Sequence, residues 1–131
     1  MEQNEKTRAL LAAFGCALAY LLAGKALAAV LPQVPEEAAR MWAFVHRCAA
    51  APIVEELVFR GIIQQLARPL GERQAVALQA VLFALQHRGP AGMAYALVCG
   101  LVLGTLRSRT GSVWPGMLLH TLNNLLVFAA G

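Results

Sequence analysis

The sequence from residue 49 to residue 63 reads AAAPIVEELVFRGII, an apolar run interrupted by three charged side chains. These are the carboxylates of Glu55 and Glu56 and the guanidinium of Arg60. On scales of membrane insertion, a charged residue at the centre of an apolar helix costs about 2.5 to 3.5 kcal/mol. Because such a cost is rarely carried without a partner or a task, these three charges are the first candidates for a functional site.

The composition of the whole chain indicates that its solvent is lipid. Of its 131 residues, 59% are hydrophobic and 14% are charged, whereas an ordinary soluble domain carries about 25% charged residues. Each membrane-spanning helix needs about 20 apolar residues, so a chain of this length has room for one domain of about five spans. We therefore predict a single membrane-embedded domain over residues 1–131.

Charge and cysteine content exclude two other classes of protein. The net charge is +4, but the 11 Lys and Arg residues are scattered singly and form no basic stripe, so nucleic acid is not an expected partner. The three cysteines, Cys16, Cys48 and Cys99, lie in apolar surroundings without CxxC spacing. We therefore expect these cysteines to act as small hydrophobic residues, and to form neither a disulfide framework nor a zinc site.

Turn-forming and charged residues divide the chain into five apolar segments. We predict that each is a helix, because an open strand edge cannot be left unsatisfied in hydrocarbon. The fold class is then all-α, a polytopic transmembrane helix bundle of about five spans. The predicted segments are 8–31, 42–66, 73–87, 91–107 and 113–130. The first is similar to a secretory signal at Ala26-Leu27-Ala28, but its apolar run continues past that point, and we predict a retained helix.

The distribution of cations predicts the orientation of the bundle. With a cytoplasmic N-terminus, six cations lie on the cytoplasmic side and two on the opposite side, which follows the positive-inside rule. The six are Lys6, Arg8, Arg68, Arg73, Arg107 and Arg109, and the two are Arg40 and Arg88. We therefore predict that the N-terminus is cytoplasmic.

Helix geometry separates the tasks of the two adjacent carboxylates. Glu56 and Arg60 are four residues apart and share a face, so they can form an ion pair that offsets part of the desolvation of both. Successive helical residues rotate by about 100°, so Glu55 points to a different face. It is the carboxylate left free to face a cavity and to act as a general base. The non-functional alternative is an ion-paired packing motif.

Two later segments carry polar groups at matching depths. The third segment ends on His87, and the fifth contains His120 and Asn124 one turn apart on a common face. At about 1.5 Å per residue from the expected cytoplasmic ends, the depths are about 16 Å for Glu55, about 21 Å for His87, about 11 Å for His120 and about 17 Å for Asn124. All four side chains should therefore converge near the middle of an apolar core of roughly 30 Å.

These three motifs together resemble the intramembrane glutamic endopeptidases of the CAAX-protease and bacteriocin-processing family, which includes Abi-type proteins. The matching residues are Glu55-Glu56-x-x-x-Arg60, Phe83-x-x-x-His87 and His120-x-x-x-Asn124, in that order within residues 52–128. The joint occurrence of three motifs is far more specific than any one of them. Eukaryotic members remove the last three residues of prenylated CAAX proteins, and bacterial relatives are linked to bacteriocin maturation or immunity.

The resemblance implies hydrolysis of a peptide bond within the membrane, with no metal and no cofactor. In this family's mechanism, Glu55 and His87 would activate a water molecule. His120 and Asn124 would donate hydrogen bonds to the developing oxyanion. The ion pair of Glu56 with Arg60 would orient the helix that carries the base Glu55, which we call the base helix. The implied partners are the lipid bilayer and a hydrophobic or lipidated peptide. The implied location is the bacterial inner (plasma) membrane.

Two other functions fit the same residues. In a zinc-dependent membrane metallohydrolase, His87, His120 and a carboxylate would bind the metal and leave one position for water. Against this, the chain has no HExxH pair, and Asn124 fits a hydrogen-bond donor better than a metal ligand. In a non-catalytic immunity or scaffold protein, the polar cluster would serve peptide capture or helix specificity. Turnover of a peptide distinguishes the protease from such a protein.

Overall fold

The computed structural model describes residues 2–30 and 35–130, and this part of the chain consists of helices and turns without a strand. Its five helices are α1 (Glu2–Val30), α2 (36–66), α3 (Glu72–Ala84), α4 (Gly89–Thr110) and α5 (Trp114–Ala130). The predicted all-α class is therefore confirmed. Within the described residues, α1 and α4 are long and apolar enough to cross a membrane, and the predicted number of spans stays a prediction. Residue 31, the last of the first predicted segment, and residues 32–34 of the break that follows it lie outside the described residues.

Several helix boundaries differ from those expected, and two of the differences lie in the helices that carry Glu55 and precede His87. The second helix begins at Glu36 instead of residue 42, because Glu36 and Glu37 lie in its first turn, where carboxylates interact favourably with the helix dipole. The third helix ends at Ala84 instead of residue 87. A turn then leads to Gly89, whose φ of 72° is readily adopted only by glycine. His87 therefore lies in the turn after α3 and not on the helix.

The helix that carries the charged motif, α2, alternates between two hydrogen-bonding registers. It is α-helical over Glu36–Val45, Ala51–Glu55 and Gln64–Leu66, and it is the wider π-helix over His46–Ala50 and Glu56–Ile63. A short 3-10 turn, Arg68–Leu70, follows. The π-helix is rare and occurs frequently at functional sites. In α2 the register changes at the Glu55-Glu56 step itself.

Aromatic rings packed against small residues form the core next to the site. Phe59 of α2 lies edge-on to Phe83 of α3, with 5.1 Å between ring centroids, and both side chains are buried. Ala13 and Ala17 of α1 are buried in the same cluster. In lipid, helices associate through close packing and polar contacts, which small residues permit. This cluster therefore holds α1, α2 and α3 together.

The helices α3 and α4 pack at close range. A Cβ atom added at Gly100 would lie 2.8 Å from the Cα of Ala80, so this approach requires glycine. The buried side chain of Gln79 donates a hydrogen bond of 2.7 Å to the carbonyl of Gly100. Gln64 of α2 donates one of 3.0 Å to the carbonyl of Gly104. These two amides connect α2 and α3 to α4.

Candidate active site

Glu56 and Arg60 form a buried ion pair, as their spacing predicts. The Nη1 atom of Arg60 lies 3.0 Å from Oε1 of Glu56, and both residues are 0% exposed. The guanidinium N–H groups have no hydrogen-bond acceptor among the described residues, so charge and not an aligned hydrogen bond holds the pair together. The Cζ atom of Arg60 lies 4.4 Å from the ring centroid of Phe83, a cation–π contact that further stabilises the charge.

Glu56 also contacts His120 on α5, which the sequence analysis missed. Its Oε1 atom lies 3.0 Å from Nδ1 of His120, and because an ionised carboxylate only accepts, the imidazole donates this hydrogen bond. Gly116 provides the space: a Cβ atom there would lie 2.6 Å from Oε2 of Glu56. The contact joins residues 64 positions apart, and the one sequence signal for it is this glycine, about one turn before His120.

Glu55 points to a different face of α2, as predicted. Its Oε2 atom lies 3.6 Å from Nε2 of His120. The side chain of Glu55 is 20% exposed, whereas that of Glu56 is 1% exposed. The imidazole of His120 therefore lies between two adjacent carboxylates, of which one is accessible and the other is sealed.

His87 approaches from the turn after α3 with a defined tautomer. Its Nδ1 atom lies 3.0 Å from the backbone carbonyl of Phe83. Because a carbonyl only accepts, Nδ1 carries the proton in this contact and Nε2 keeps its lone pair in the neutral ring. The imidazole also packs edge-on against the Phe83 ring, with 4.7 Å between centroids. The basic atom of His87 is thus Nε2.

Asn124 lies one turn beyond His120 on α5, and both ends of its amide are held. Its Nδ2 atom donates a hydrogen bond of 2.9 Å to the carbonyl of Arg47 on α2. Its Oδ1 atom accepts one of 3.3 Å from Nδ2 of Asn123. An amide nitrogen has two N–H groups, so the second N–H of Asn124 remains available for a ligand.

One cavity of about 750 Å³ brings together the four side chains that were predicted to converge. Glu55, His87, His120 and Asn124 all line it, whereas Glu56 and Arg60 do not. The other lining residues are His46, Arg47, Ala51, Val127 and Phe128. The cavity therefore presents a carboxylate, two imidazoles and an amide to a ligand. His46 and Arg47 were not among the predicted site residues.

A second cavity of about 510 Å³ lies between α1 and α2 and meets the first at Glu55. Glu55, His46 and Arg47 line both cavities. The rest of the second wall is mostly apolar and includes Leu27 and Trp42. The accessible carboxylate therefore lies where the two cavities join.

The cavity groups do not form a metal-binding cluster. Over residues 2–30 and 35–130, no group of three or more His, Cys, Asp or Glu side chains is arranged to hold a metal ion. Glu55, His87 and His120 share the cavity without forming such a group. The geometry therefore offers no support for the zinc alternative.

Comparison with known proteins identifies the family of the chain. A family model described as Type II CAAX prenyl endopeptidase Rce1-like matches residues 37–126. The match covers more than half of the chain, and it includes every cavity and ion-pair residue predicted above. Neither a curated protein nor a solved structure matches the chain. The chain therefore belongs to the Rce1-like family of type II CAAX prenyl endopeptidases, which are integral membrane proteases.

Proposed function

We propose that the protein is an intramembrane endopeptidase that hydrolyses a peptide bond held in the cavity of about 750 Å³. The observation that carries this proposal is the convergence of four side chains on that cavity. A carboxylate comes from α2, an imidazole from the turn after α3, and an imidazole and an amide from α5. Amide hydrolysis needs a base for the water and donors for the oxyanion, and this set contains both.

Glu55 and His87 act on the attacking water. Nε2 of His87 is free to accept a proton, because the carbonyl of Phe83 holds Nδ1. Glu55 is the more accessible of the two α2 carboxylates and faces the same cavity. A water between them gives one proton to Glu55 and a hydrogen bond to Nε2 of His87 as its oxygen bonds to the scissile carbonyl carbon. That proton then goes to the leaving amine as the C–N bond breaks.

His120 and Asn124 stabilise the tetrahedral intermediate. Asn124 has one N–H that the carbonyl of Arg47 does not use. His120 is held at Nδ1 by Glu56, and its Nε2 donates to the oxyanion when that nitrogen carries a proton. The loss of one oxyanion donor typically raises the barrier by about 2.7 to 4 kcal/mol.

Glu56 and Arg60 are positioning residues that do not reach the substrate. Glu56 holds Nδ1 of His120, which sets the orientation of the ring in the way that a buried carboxylate orients histidine in serine proteases. Arg60 in turn neutralises Glu56. This task adds to the orientation of the base helix that the family resemblance implies.

The proposed substrate is a hydrophobic or prenylated peptide in an extended conformation. The two cavities that meet at Glu55 offer an extended chain space on either side of the scissile bond. The apolar wall of the second cavity, with Leu27 and Trp42, suits an aliphatic or isoprenoid group. The accessible cation Arg47 lies at the junction, where it complements the carboxylate end of a peptide.

We further propose that residues 1–131 form one domain embedded in the bacterial inner membrane with its N-terminus in the cytoplasm. Large apolar side chains on the outer face of α5 support contact with lipid, because soluble proteins seldom expose such a row. Examples are Leu118, Leu122 and Leu126, which are 62%, 46% and 72% exposed. The cation count given above supports the orientation.

Turnover of labelled peptides by the purified protein in detergent tests the function. The panel should contain hydrophobic peptides with and without a prenylated cysteine. Glu55→Gln keeps the shape of the side chain but removes the base, so we expect kcat to fall by roughly 100-fold or more. Glu72→Gln is the matched control, since Glu72 begins α3 and lines neither cavity that contains Glu55. Equal hydrolysis by wild type and Glu55→Gln across the panel would contradict the proposal.

A further inference from the structure

The backbone carbonyl of Arg47 has no main-chain donor at residue 51, the α-helical position, or at residue 52, the π-helical position. In the π-helix His46–Ala50, the N–H of Ala51 donates to the carbonyl of His46. The π-helical donor for Arg47 would be residue 52, five positions on. That residue is Pro52, which has no N–H. The Arg47 carbonyl is therefore open to a side chain.

Asn124 fills this acceptor, and its orientation follows from it. A carbonyl only accepts, so the Asn124 atom 2.9 Å from it is the nitrogen. Oδ1 of Asn124 then faces Nδ2 of Asn123 at 3.3 Å, and Asn123 is the donor. Oδ1 of Asn123 in turn accepts the hydroxyl of Tyr95 on α4, 2.5 Å away. Because each group donates to the next one, these hydrogen bonds form a relay with a single direction. It runs from the hydroxyl of Tyr95 through the amides of Asn123 and Asn124 to the carbonyl of Arg47.

We propose that Tyr95, Asn123 and Pro52 are positioning residues for proteolysis, which hold the Asn124 amide with one N–H directed into the cavity. This inference rests on the proposed function, because it takes Asn124 as an oxyanion donor. The terminal torsion of asparagine is broad, so a single bond to Arg47 would let the amide turn. The second bond, to Oδ1, removes that freedom. A donor that is already aligned stabilises the transition state more than one that must reorient.

Removal of the Tyr95 hydroxyl tests the relay with little change in packing. In Tyr95→Phe we expect kcat to fall roughly tenfold with KM unchanged, because only a transition-state hydrogen bond is weakened. Thr105→Val is the matched control: it removes a hydroxyl from the same helix that bonds the carbonyl of Leu101 within α4. Its kcat should equal that of wild type. If Tyr95→Phe and Thr105→Val behave alike, the inference is overturned.

A double-variant cycle separates positioning from a general effect on the fold. In the Asn124→Ala background, Tyr95→Phe should cause no further loss of kcat, because the group that it positions is gone. Independent effects would multiply, and a multiplied loss overturns the inference. Pro52→Ala restores a main-chain N–H that competes for the Arg47 carbonyl, so it should also lower kcat without raising KM.

A measurement that needs no turnover follows the amide directly. The chain contains three asparagines, so ¹⁵N-asparagine labelling yields three side-chain NH₂ pairs, which single substitutions assign. Tyr95→Phe should shift the NMR signals of the Asn124 NH₂ pair and speed the exchange of its protons with solvent. Unchanged signals and exchange would overturn the relay. Activity lost in Glu55→Gln and Asn124→Ala but normal in Tyr95→Phe overturns the relay alone. Full activity in Glu55→Gln overturns the proposed function, and with it the role of the relay in proteolysis.

Discussion

The two polar groups that α5 presents to the cavity lie one turn apart and are held in opposite ways. His120 is 6% exposed and is bound by a sealed carboxylate that is itself paired with Arg60. Asn124 lies at the accessible side and is held by neutral hydrogen bonds to Arg47 and Asn123. We call the part around Glu56, Arg60 and His120 the dry half and the part around Asn124 the wet half. In the dry half, loss of one partner leaves a buried charge without its counter-charge, whereas in the wet half water can replace a lost hydrogen-bond partner. The contrast teaches that stability should depend mainly on the dry half of the site, whereas turnover should depend on both halves.

The largest expected effect is in the dry half, from Glu56→Ala. This change leaves the Arg60 guanidinium buried without its counter-charge, so we expect a loss of about 3 to 5 kcal/mol in the free energy of unfolding. Denaturation in mixed micelles, followed by circular dichroism, measures it. Glu55→Gln should unfold like wild type, because that side chain is partly exposed. Equal stability of Glu56→Ala and wild type would contradict the contrast.

Replacing both members of the ion pair sharpens the same comparison. Glu56→Leu combined with Arg60→Met removes both buried charges and should restore stability to within about 1 kcal/mol of wild type. Hydrolysis should stay absent, because His120 has lost the acceptor for Nδ1. A stable double variant with normal kcat would show that His120 needs no carboxylate behind it.

In the wet half, Asn124→Ala should change the rate and spare the fold. We expect kcat to fall by about 100-fold, the typical loss for one oxyanion donor, with less than about 1 kcal/mol change in unfolding free energy, since water reaches the site. Steady-state kinetics and the same denaturation assay measure the two quantities. Asn4→Ala, in the exposed first turn of α1, is the control. A large loss of stability in Asn124→Ala would show that the two halves are not separable.

A smaller effect is expected from a change remote from both halves, Gly100→Ala. The added Cβ would lie 2.8 Å from the Cα of Ala80, so the backbones must shift, at a cost of about 1 to 3 kcal/mol. Gly92→Ala on the same helix has nothing within 4 Å of its Cβ and should gain about 0.5 to 1 kcal/mol. Thermal unfolding compares the pair. Both variants should keep the kcat of wild type where they are folded, and a loss of kcat in Gly92→Ala would be inconsistent with this view.

The smallest expected effect is that of chelation, which should leave the hydrolysis rate unchanged. Nδ1 of His87 is held by the carbonyl of Phe83 and Nδ1 of His120 by Glu56, and the proposed mechanism uses these imidazoles through hydrogen bonds without a metal. Elemental analysis together with assays in chelator measures the effect. Activity that disappears in chelator and returns with zinc would favour the metallohydrolase.

Much of the fold could be predicted because it follows from composition and short spacing. The five apolar segments became five helices within the described residues, and the earlier end of α3 reflects the turn that leads to Gly89. The ion pair between Glu56 and Arg60 follows from a spacing of four on one helix. The convergence of His87 and Asn124 with Glu55 could be predicted from their similar depths along the expected helices. Depth alone does not show which atoms of these side chains are in contact.

By itself, the sequence determined an all-helical chain with two carboxylates on different faces of one helix, because composition and residues within one turn control these features. Only the tertiary structure decided that His120 lies between Glu55 and Glu56, and that Asn124 takes the free carbonyl of Arg47. The reason is that such contacts depend on how the helices rotate and approach one another. Packing of distant residues, such as Gly116 against Glu56, controls that rotation.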